Sequence, residues 1–205
     1  AKLRSEEAAQ ALGERLIEVG KQLGLKIGLH ISDGSQPVGR GIGPGLEARD
    51  VLAVLSRTSE APLDLRERAL DLAGAVLELA GEAPGTGRAR AVATLDSGRA
   101  EHKFEAICAA QGGRQVPAIA LHQAPVSAPG DGVVSAIDNR TLARVAKLAG
   151  APRNAAAGVD LHVRLGQRVM RDMPLLTVHA DTAGELAYAL EYYKSHPTLF
   201  RIDGP

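Results

Sequence analysis

The feature that most constrains this chain is a glycine-rich stretch at residues 31–50, which reads ISDGSQPVGRGIGPGLEARD. Glycines occupy alternate positions from 39 to 45, and prolines at 37 and 44 fix the backbone locally. Glycine tolerates positive φ and lets another backbone or a ligand come close. Because the stretch follows an alternating apolar run and precedes a helical pattern, it predicts a strand–turn–helix junction. Such a junction is either a structural turn or a cradle for an ion.

The spacing of the glycines excludes two common phosphate-binding motifs. In a G-x-G-x-x-G pattern that begins at Gly39, the last glycine would fall on Pro44, and in one that begins at Gly41 it would fall on Leu46. No Gly-Lys-Ser/Thr follows, so the stretch is not a Walker loop.

Composition excludes several classes of partner. The 205 residues include 24 basic and 24 acidic side chains, so no net charge steers the chain to nucleic acid or to an anionic membrane. Only five residues are aromatic, too few for a base-stacking platform. No apolar run approaches the roughly 20 residues that span a bilayer, and no signal peptide is evident. We therefore expect a cytoplasmic protein with no nucleic-acid or membrane partner.

The single cysteine, Cys108, excludes an internal disulfide and a multi-cysteine metal site. It lies in an apolar helical run, which favours a small core residue over a reactive thiol. His30, on the polar face of an alternating run, is interpreted as a partly covered strand residue, with a catalytic role as the alternative.

The first half of the chain predicts mainly helices, and the second half predicts strands. Helices are expected at 5–24, 46–56, 63–80, 88–95, 97–111, 140–148 and 182–195, and strands at 25–32, 117–122, 125–128, 132–137, 158–163 and 174–179. The fold class is α/β: residues 1–113 complete a mixed sheet that begins upstream, and residues 114–205 form a smaller α+β, barrel-sandwich-like module.

The second half also resembles the core of biotinyl and lipoyl carrier domains, through GVV at 132–134 and the residues 166–175. Carrier domains present a lysine in the turn between their halves. Here a helix and the GAPR sequence at 150–153 occupy that region, and the lysine turn is missing. A structural module is therefore favoured over a carrier.

Four ordered blocks together resemble the thymidine/pyrimidine nucleoside phosphorylase family, in particular its AMP phosphorylase-like branch. The resemblance covers nearly all of residues 1–195. The blocks are 31–52 (ISDGSQPVGRGIGPGLEARDVL); 95–113, similar to the family's SGxAxxxFxxxxxxQGG; 128–134 (APGDGVV) with 150–163; and 166–180 (GQRVMRDMPLLTVHA).

This resemblance implies phosphorolysis, in which inorganic phosphate cleaves a nucleoside to a free base and a sugar 1-phosphate. Phosphate is then a co-substrate, and no organic cofactor is needed. The family's phosphate-binding and base-binding residues lie upstream of the point that matches Ala1, so we expect a C-terminal fragment that holds no catalytic residue and is inactive alone. Family members are homodimers, which implies a homodimer for the full-length protein.

The resemblance also implies a monovalent cation site, for potassium, at the carbonyls of Val38 and Gly41 and the side chain of Asp50. Asp50 stands where the bacterial pyrimidine nucleoside phosphorylases carry Glu. The alternative is that Asp50 is a first-turn helix acid that complements the helix dipole. Arg40 is the charged side chain inside the loop: it either reaches the substrate cleft, where it suits a nucleotide phosphate, or is solvated.

Three functions remain open at this point. The first is part of a thymidine phosphorylase, with an AMP phosphorylase as the alternative. The second is a carrier or binding module, and the third is a non-catalytic structural or oligomerisation domain.

Overall fold

The computed structural model describes residue 3, residues 5–115 and residues 119–204. The helices among these residues are α1 (Glu6–Gln22), α2 (Pro44–Leu55), α3 (Leu63–Leu79), α4 (Gly87–Asp96), α5 (Arg99–Ala110), α6 (Asn139–Leu148) and α7 (Ala183–Lys194), with a 3₁₀ turn at Pro197–Leu199. The strands are β1 (Gly41–Ile42), β2 (His122–Ser127), β3 (Gly132–Ile137), β4 (Gly158–Leu161), β5 (Arg168–Val169), β6 (Pro174–Ala180) and β7 (Phe200–Asp203). The expected α/β mixture is confirmed.

Three helices begin at the capping side chains that their sequences offer. Ser5 accepts a hydrogen bond from the backbone of α1, Asp138 accepts two from α6, and Thr182 accepts one from α7. Each cap satisfies amide groups that the first turn of a helix leaves unpaired. These local signals explain why the predicted helices match the observed ones closely.

The described strands form two antiparallel sheets. One has the order β1–β4–β6–β2, and the other has the order β5–β3–β7. Their inner residues and those of α6 and α7 share one aliphatic core, which includes Val134, Val145, Leu176 and Leu199. A smaller cluster around Leu70 joins α2 to α3 and α4.

The predicted strand at 25–32 is wrong for the described chain. These residues form no sheet pairing, and the apolar side chains of Leu25, Ile27 and Leu29 stay 39–57% exposed. Leu29 and Ile27 pack against α1, where Gly13 and Gly20 leave room for them. An alternating pattern predicts a half-buried strand only where a neighbouring strand completes the ladder.

Cys108 is only half-buried, and α5 has no fully buried residue, so Cys108 does not occupy the core position that its apolar run predicted. The predicted strand at 117–122 falls partly on residues outside the described ranges. Among the residues that are described, no helix is both long and apolar enough to cross a membrane.

The division at residue 113 stays a prediction. The sheet β1–β4–β6–β2 crosses that boundary, because β1 comes from the glycine-rich stretch and pairs with β4, with Gly41 opposite Asp160. This pairing fixes the glycine-rich stretch against the β-rich half.

Candidate functional site at the glycine-rich loop

Residues 36–43, which we call the glycine loop, connect an irregular segment to α2 and contain β1. Gly39 and Gly43 have positive φ angles of 77° and 137°, which L side chains rarely adopt. Pro44 occupies the first turn of α2, where its missing N–H costs nothing. The sequence therefore ends the loop and starts the helix at one fixed point.

Asp50 anchors the loop to the helix that follows it. Its Oδ2 atom accepts hydrogen bonds from the backbone nitrogens of Arg40 at 2.6 Å and Gly41 at 2.8 Å. The residue is only 7% exposed, so these charge-assisted hydrogen bonds lie in a largely dry setting. Asp50 lies in the second turn of α2, because the helix begins at Pro44; the expected first-turn position is wrong.

An ion pair between Asp64 and Arg164 also holds the loop. Asp64, at the start of α3, accepts from the backbone nitrogen of Gly39 at 3.1 Å. Arg164, which follows β4, donates through Nη2 to the carbonyl oxygen of Gly39 at 2.8 Å, and the same atom lies 3.2 Å from Oδ2 of Asp64. Both polar groups of one glycine are thus satisfied by one arginine–aspartate pair.

Two hydrogen bonds from backbone groups of the β-rich half also hold the loop. The carbonyl oxygen of Arg40 accepts from Leu161 at 2.9 Å, and the side chain of Gln36 accepts from the backbone of Leu165, also at 2.9 Å. Elements that are more than 100 residues apart in sequence therefore determine the shape of the loop. A loop whose amides and carbonyls are fixed in this way is preorganised.

The side chain of Arg40 lies at the surface of the loop and is partly exposed to solvent. Its Nη2 atom donates to the carbonyl oxygen of Glu60, and its Nε atom lies 3.8 Å from Oδ1 of Asp50. The side chain is 39% exposed. Arg40 is therefore neither buried nor freely solvated, and its role in a substrate cleft stays a prediction.

The predicted potassium ligands Val38, Gly41 and Asp50 lie in one loop and the helix after it, but Asp50 is already engaged. One of its oxygens accepts two amides, and the other faces a guanidinium. Carboxylate oxygens with such partners are a poor fit to a cation. Among the described residues, no group of three or more histidine, cysteine, aspartate or glutamate side chains is placed to hold a metal ion.

A groove of about 1020 Å³ opens beside the loop, between α1, residues 29–35 and the start of α6. His30, Asp33 and Arg140 contribute polar groups to its lining. The backbone N–H and the hydroxyl of Ser35 donate to Asp33, and these hydrogen bonds hold the pKa of that carboxyl below its ordinary value. The lining of this groove extends to Ser35, one residue before the glycine loop begins.

A buried histidine lies beneath α2. His179 on β6 is opposite Gly158 on β4, and Leu46 of α2 reaches to 2.9 Å from where a Cβ on Gly158 would stand. His179 is 5% exposed, and neither ring nitrogen has a hydrogen-bond partner within the described parts of the chain. Burial lowers its pKa; the charge of Asp160 opposes this shift, and those of Arg49 and His162 add to it.

The sequence did not indicate Asp64, Arg164 or His179 as partners of the loop or of α2. No local pattern marks them, because the residues of the loop or of α2 that they act on lie at least 25 positions away. Their roles depend on the sheet pairing of β1 with β4 and on the packing of α3 beside the loop.

Comparison with known proteins identifies the family. Residues 133–198 match the pyrimidine nucleoside phosphorylase C-terminal domain. Proteins named putative thymidine phosphorylase are 60% identical over 203 residues in Polaromonas sp. (strain JS666 / ATCC BAA-500) and 54% identical over 204 residues in Hahella chejuensis (strain KCTC 2396). A protein of Acidovorax sp. (strain JS42) named putative thymidine phosphorylase 2 is 58% identical over 203 residues.

These alignments cover 98–99% of this chain but 40% of each relative, so the chain spans about two fifths of their length. The domain match and the three alignments agree with one another along the chain. The chain therefore contains the C-terminal domain of the pyrimidine nucleoside phosphorylase family.

Proposed function

We propose that this chain is the C-terminal part of a thymidine phosphorylase, an enzyme that uses inorganic phosphate to release the free base from a nucleoside and forms a sugar 1-phosphate. The observation that carries the proposal is the 52–60% identity, over nearly the whole chain, to proteins named putative thymidine phosphorylase. The shaped glycine loop supports it, because a reaction of this kind depends on positioned groups more than on covalent chemistry.

In this proposal, the residues of this chain do not touch the breaking bond. The transition state carries positive charge on the sugar, and groups elsewhere in the full-length protein hold the phosphate and the leaving base. The contribution of this chain is a rigid loop, fixed by Asp50, Asp64 and Arg164. We therefore expect the chain alone to be inactive and the full-length protein to act in the cytoplasm as a homodimer.

AMP phosphorolysis is the alternative, and Arg40 favours it. Its guanidinium is partly exposed at the edge of the loop and retains N–H groups that can donate to a phosphate. A substrate with a 5′-phosphate would use such a donor, whereas thymidine would not. A non-catalytic, structural or oligomerisation role is the further alternative.

The test is release of free base from thymidine, uridine and AMP, each measured with and without inorganic phosphate. Both this chain and a protein of the full length of its relatives are assayed. We expect phosphate-dependent release by the longer protein, fastest with thymidine, and none by the chain. Fastest release from AMP would favour the alternative, and its loss in an Arg40→Gln variant would assign the 5′-phosphate contact.

The matched control for that variant is Arg171→Gln, an exposed arginine remote in sequence from the loop. A longer protein that is folded but releases no base from any substrate would contradict the proposal and favour a structural role. Turnover by the chain alone would contradict the expectation that the reacting groups lie outside it.

A further inference from the structure

Two negatively charged and two positively charged side chains contact the glycine loop. Two carboxylates, Asp50 and Asp64, face the backbone amides of the loop, and two guanidiniums, Arg40 and Arg164, face these carboxylates or a loop carbonyl. The distances from guanidinium nitrogen to carboxylate oxygen are 3.8 Å at Asp50 and 3.2 Å at Asp64. The positive charge beside these two carboxylates is therefore supplied by side chains.

The third carboxylate at the loop has a different partner. Glu47 accepts from the backbone nitrogen of Gly43 at 3.0 Å, in the first turn of α2. The N-terminus of a helix favours a negative charge without a cation. The N-terminus of α2 therefore stabilises the negative charge of Glu47, and no metal ion is needed beside it.

Backbone amides and carbonyls of the loop also have hydrogen-bond partners within the chain. Amides of three consecutive residues, 39–41, donate to carboxylates, so this side of the loop faces acceptors. The carbonyl oxygen of Gly39 accepts from Arg164, and that of Arg40 accepts from Leu161. A cation at Asp50 would have to displace Arg40 or lie beside its guanidinium, where like charges repel.

We infer that Arg40 and Arg164 take the place of a monovalent cation at this loop, and that the loop keeps its shape without potassium. Arg40 neutralises the carboxylate that a potassium ion would use, and Arg164 binds a loop carbonyl as a cation would. This inference concerns the loop itself and does not depend on the proposed phosphorolysis.

The inference predicts how substitutions of Arg40 change the response of the chain to potassium. Removing the charge of Arg40 leaves Oδ1 of Asp50 without its positive neighbour. Arg40→Gln should therefore create a potassium dependence that the unaltered chain lacks. Arg40→Lys keeps the charge and should behave like the unaltered chain.

The experiment measures the melting temperature of the chain in potassium chloride, sodium chloride and choline chloride at equal ionic strength. The unaltered chain should melt at the same temperature in all three salts. Arg40→Gln should melt at a lower temperature in choline, and potassium should restore part of the loss with a saturable dependence. Arg140→Gln, an exposed arginine on α6, is the control and should show neither effect.

A saturable rise caused by potassium in the unaltered chain, absent in Asp50→Asn, would overturn the inference. An Arg40→Gln variant that folds but does not respond to potassium would overturn it as well. If that variant does not fold, NMR of the unaltered chain in the three salts replaces the melting experiment. A shift of the Gly41 amide signal that occurs only in potassium would contradict the inference. Equal spectra in the three salts would support it. None of these readouts uses catalysis, so failure here is separable from failure of the proposed function.

Discussion

Oδ2 of Asp50 lies 2.6 Å from the backbone nitrogen of Arg40, ten positions earlier in the chain. This hydrogen bond joins the second turn of α2 to the glycine loop that precedes the helix. Since Asp50 also accepts from Gly41 at 2.8 Å and is 7% exposed, one buried carboxylate sets the orientation of two consecutive peptide groups. Removing this carboxylate should therefore alter the conformation of the whole loop.

Replacing Asp50 by Asn removes the charge and keeps the shape. Hydrogen bonds to a charged group contribute about 1.5–3 kcal/mol, so we expect the free energy of unfolding to fall by about 2 kcal/mol. Urea denaturation measures the change. Asp181→Asn, at an exposed aspartate, is the matched control and should stay within about 0.5 kcal/mol. Equal effects of the two substitutions would contradict the anchoring role of Asp50.

Replacing Gly39 by Ala tests the shape of the loop. Gly39 has a φ of 77°, and a Cβ there would lie 2.9 Å from Oδ2 of Asp50. The left-handed conformation alone costs a non-glycine residue about 1–2 kcal/mol, so Gly39→Ala should destabilise the chain by at least that amount. Gly34→Ala is the control, because its added Cβ would meet no atom within 4 Å. Thermal or urea unfolding that finds the two variants equally stable would be inconsistent with this geometry.

Replacing Arg164 by Gln tests the contact between the β-rich half and the loop. The variant loses its donor to Gly39 and its partner in Asp64, and should lose about 1 kcal/mol of stability, because both groups are partly exposed. In a double-mutant cycle, Arg164→Gln and Asp64→Asn should be non-additive by about 0.5 kcal/mol or more. Strict additivity would show that the pair does not act as a unit.

Acidification should destabilise the chain through His179. Burial holds the pKa of His179 below its ordinary value of 6.5 in the folded chain, so the unfolded chain binds the proton more readily. The contribution of His179 to stability is therefore complete above about pH 6.5 and is lost as the pH falls below it. Denaturation from about pH 7.5 to about pH 5.5 measures this slope.

The slope should become smaller in His179→Gln and should be unchanged in His102→Gln, which alters an exposed histidine on α5. Since Asp160 opposes the shift, Asp160→Asn should make the slope steeper as long as the variant folds. A slope that is identical in the unaltered chain and in His179→Gln would assign the effect to other groups.

The helices could be predicted because their signals are local. Caps such as Ser5, Asp138 and Thr182 and a periodic apolar face place each helix to within a few residues. The glycine loop was also found, because glycines at alternate positions leave few alternatives. The family resemblance came from four blocks in the right order, which single motifs do not provide.

The interactions that shape the site could not be predicted from local patterns. Gly41 pairs with Asp160 across more than 100 residues, and the alternating pattern at 25–32 predicted a strand that has no partner in the described chain. The role of Asp50 depended on where α2 begins, and the observed start at Pro44 makes Asp50 the seventh residue of the helix, in its second turn. Small errors in an element boundary thus change the role assigned to a site residue.

The product balance of the longer protein with thymidine and inorganic phosphate distinguishes phosphorolysis from hydrolysis. Chromatography quantifies free thymine, and phosphorus NMR quantifies sugar 1-phosphate. We expect equal amounts of the two products and no release without phosphate. Thymine released together with free sugar, or at a rate independent of phosphate, would mean hydrolysis and would contradict the proposed phosphorolysis.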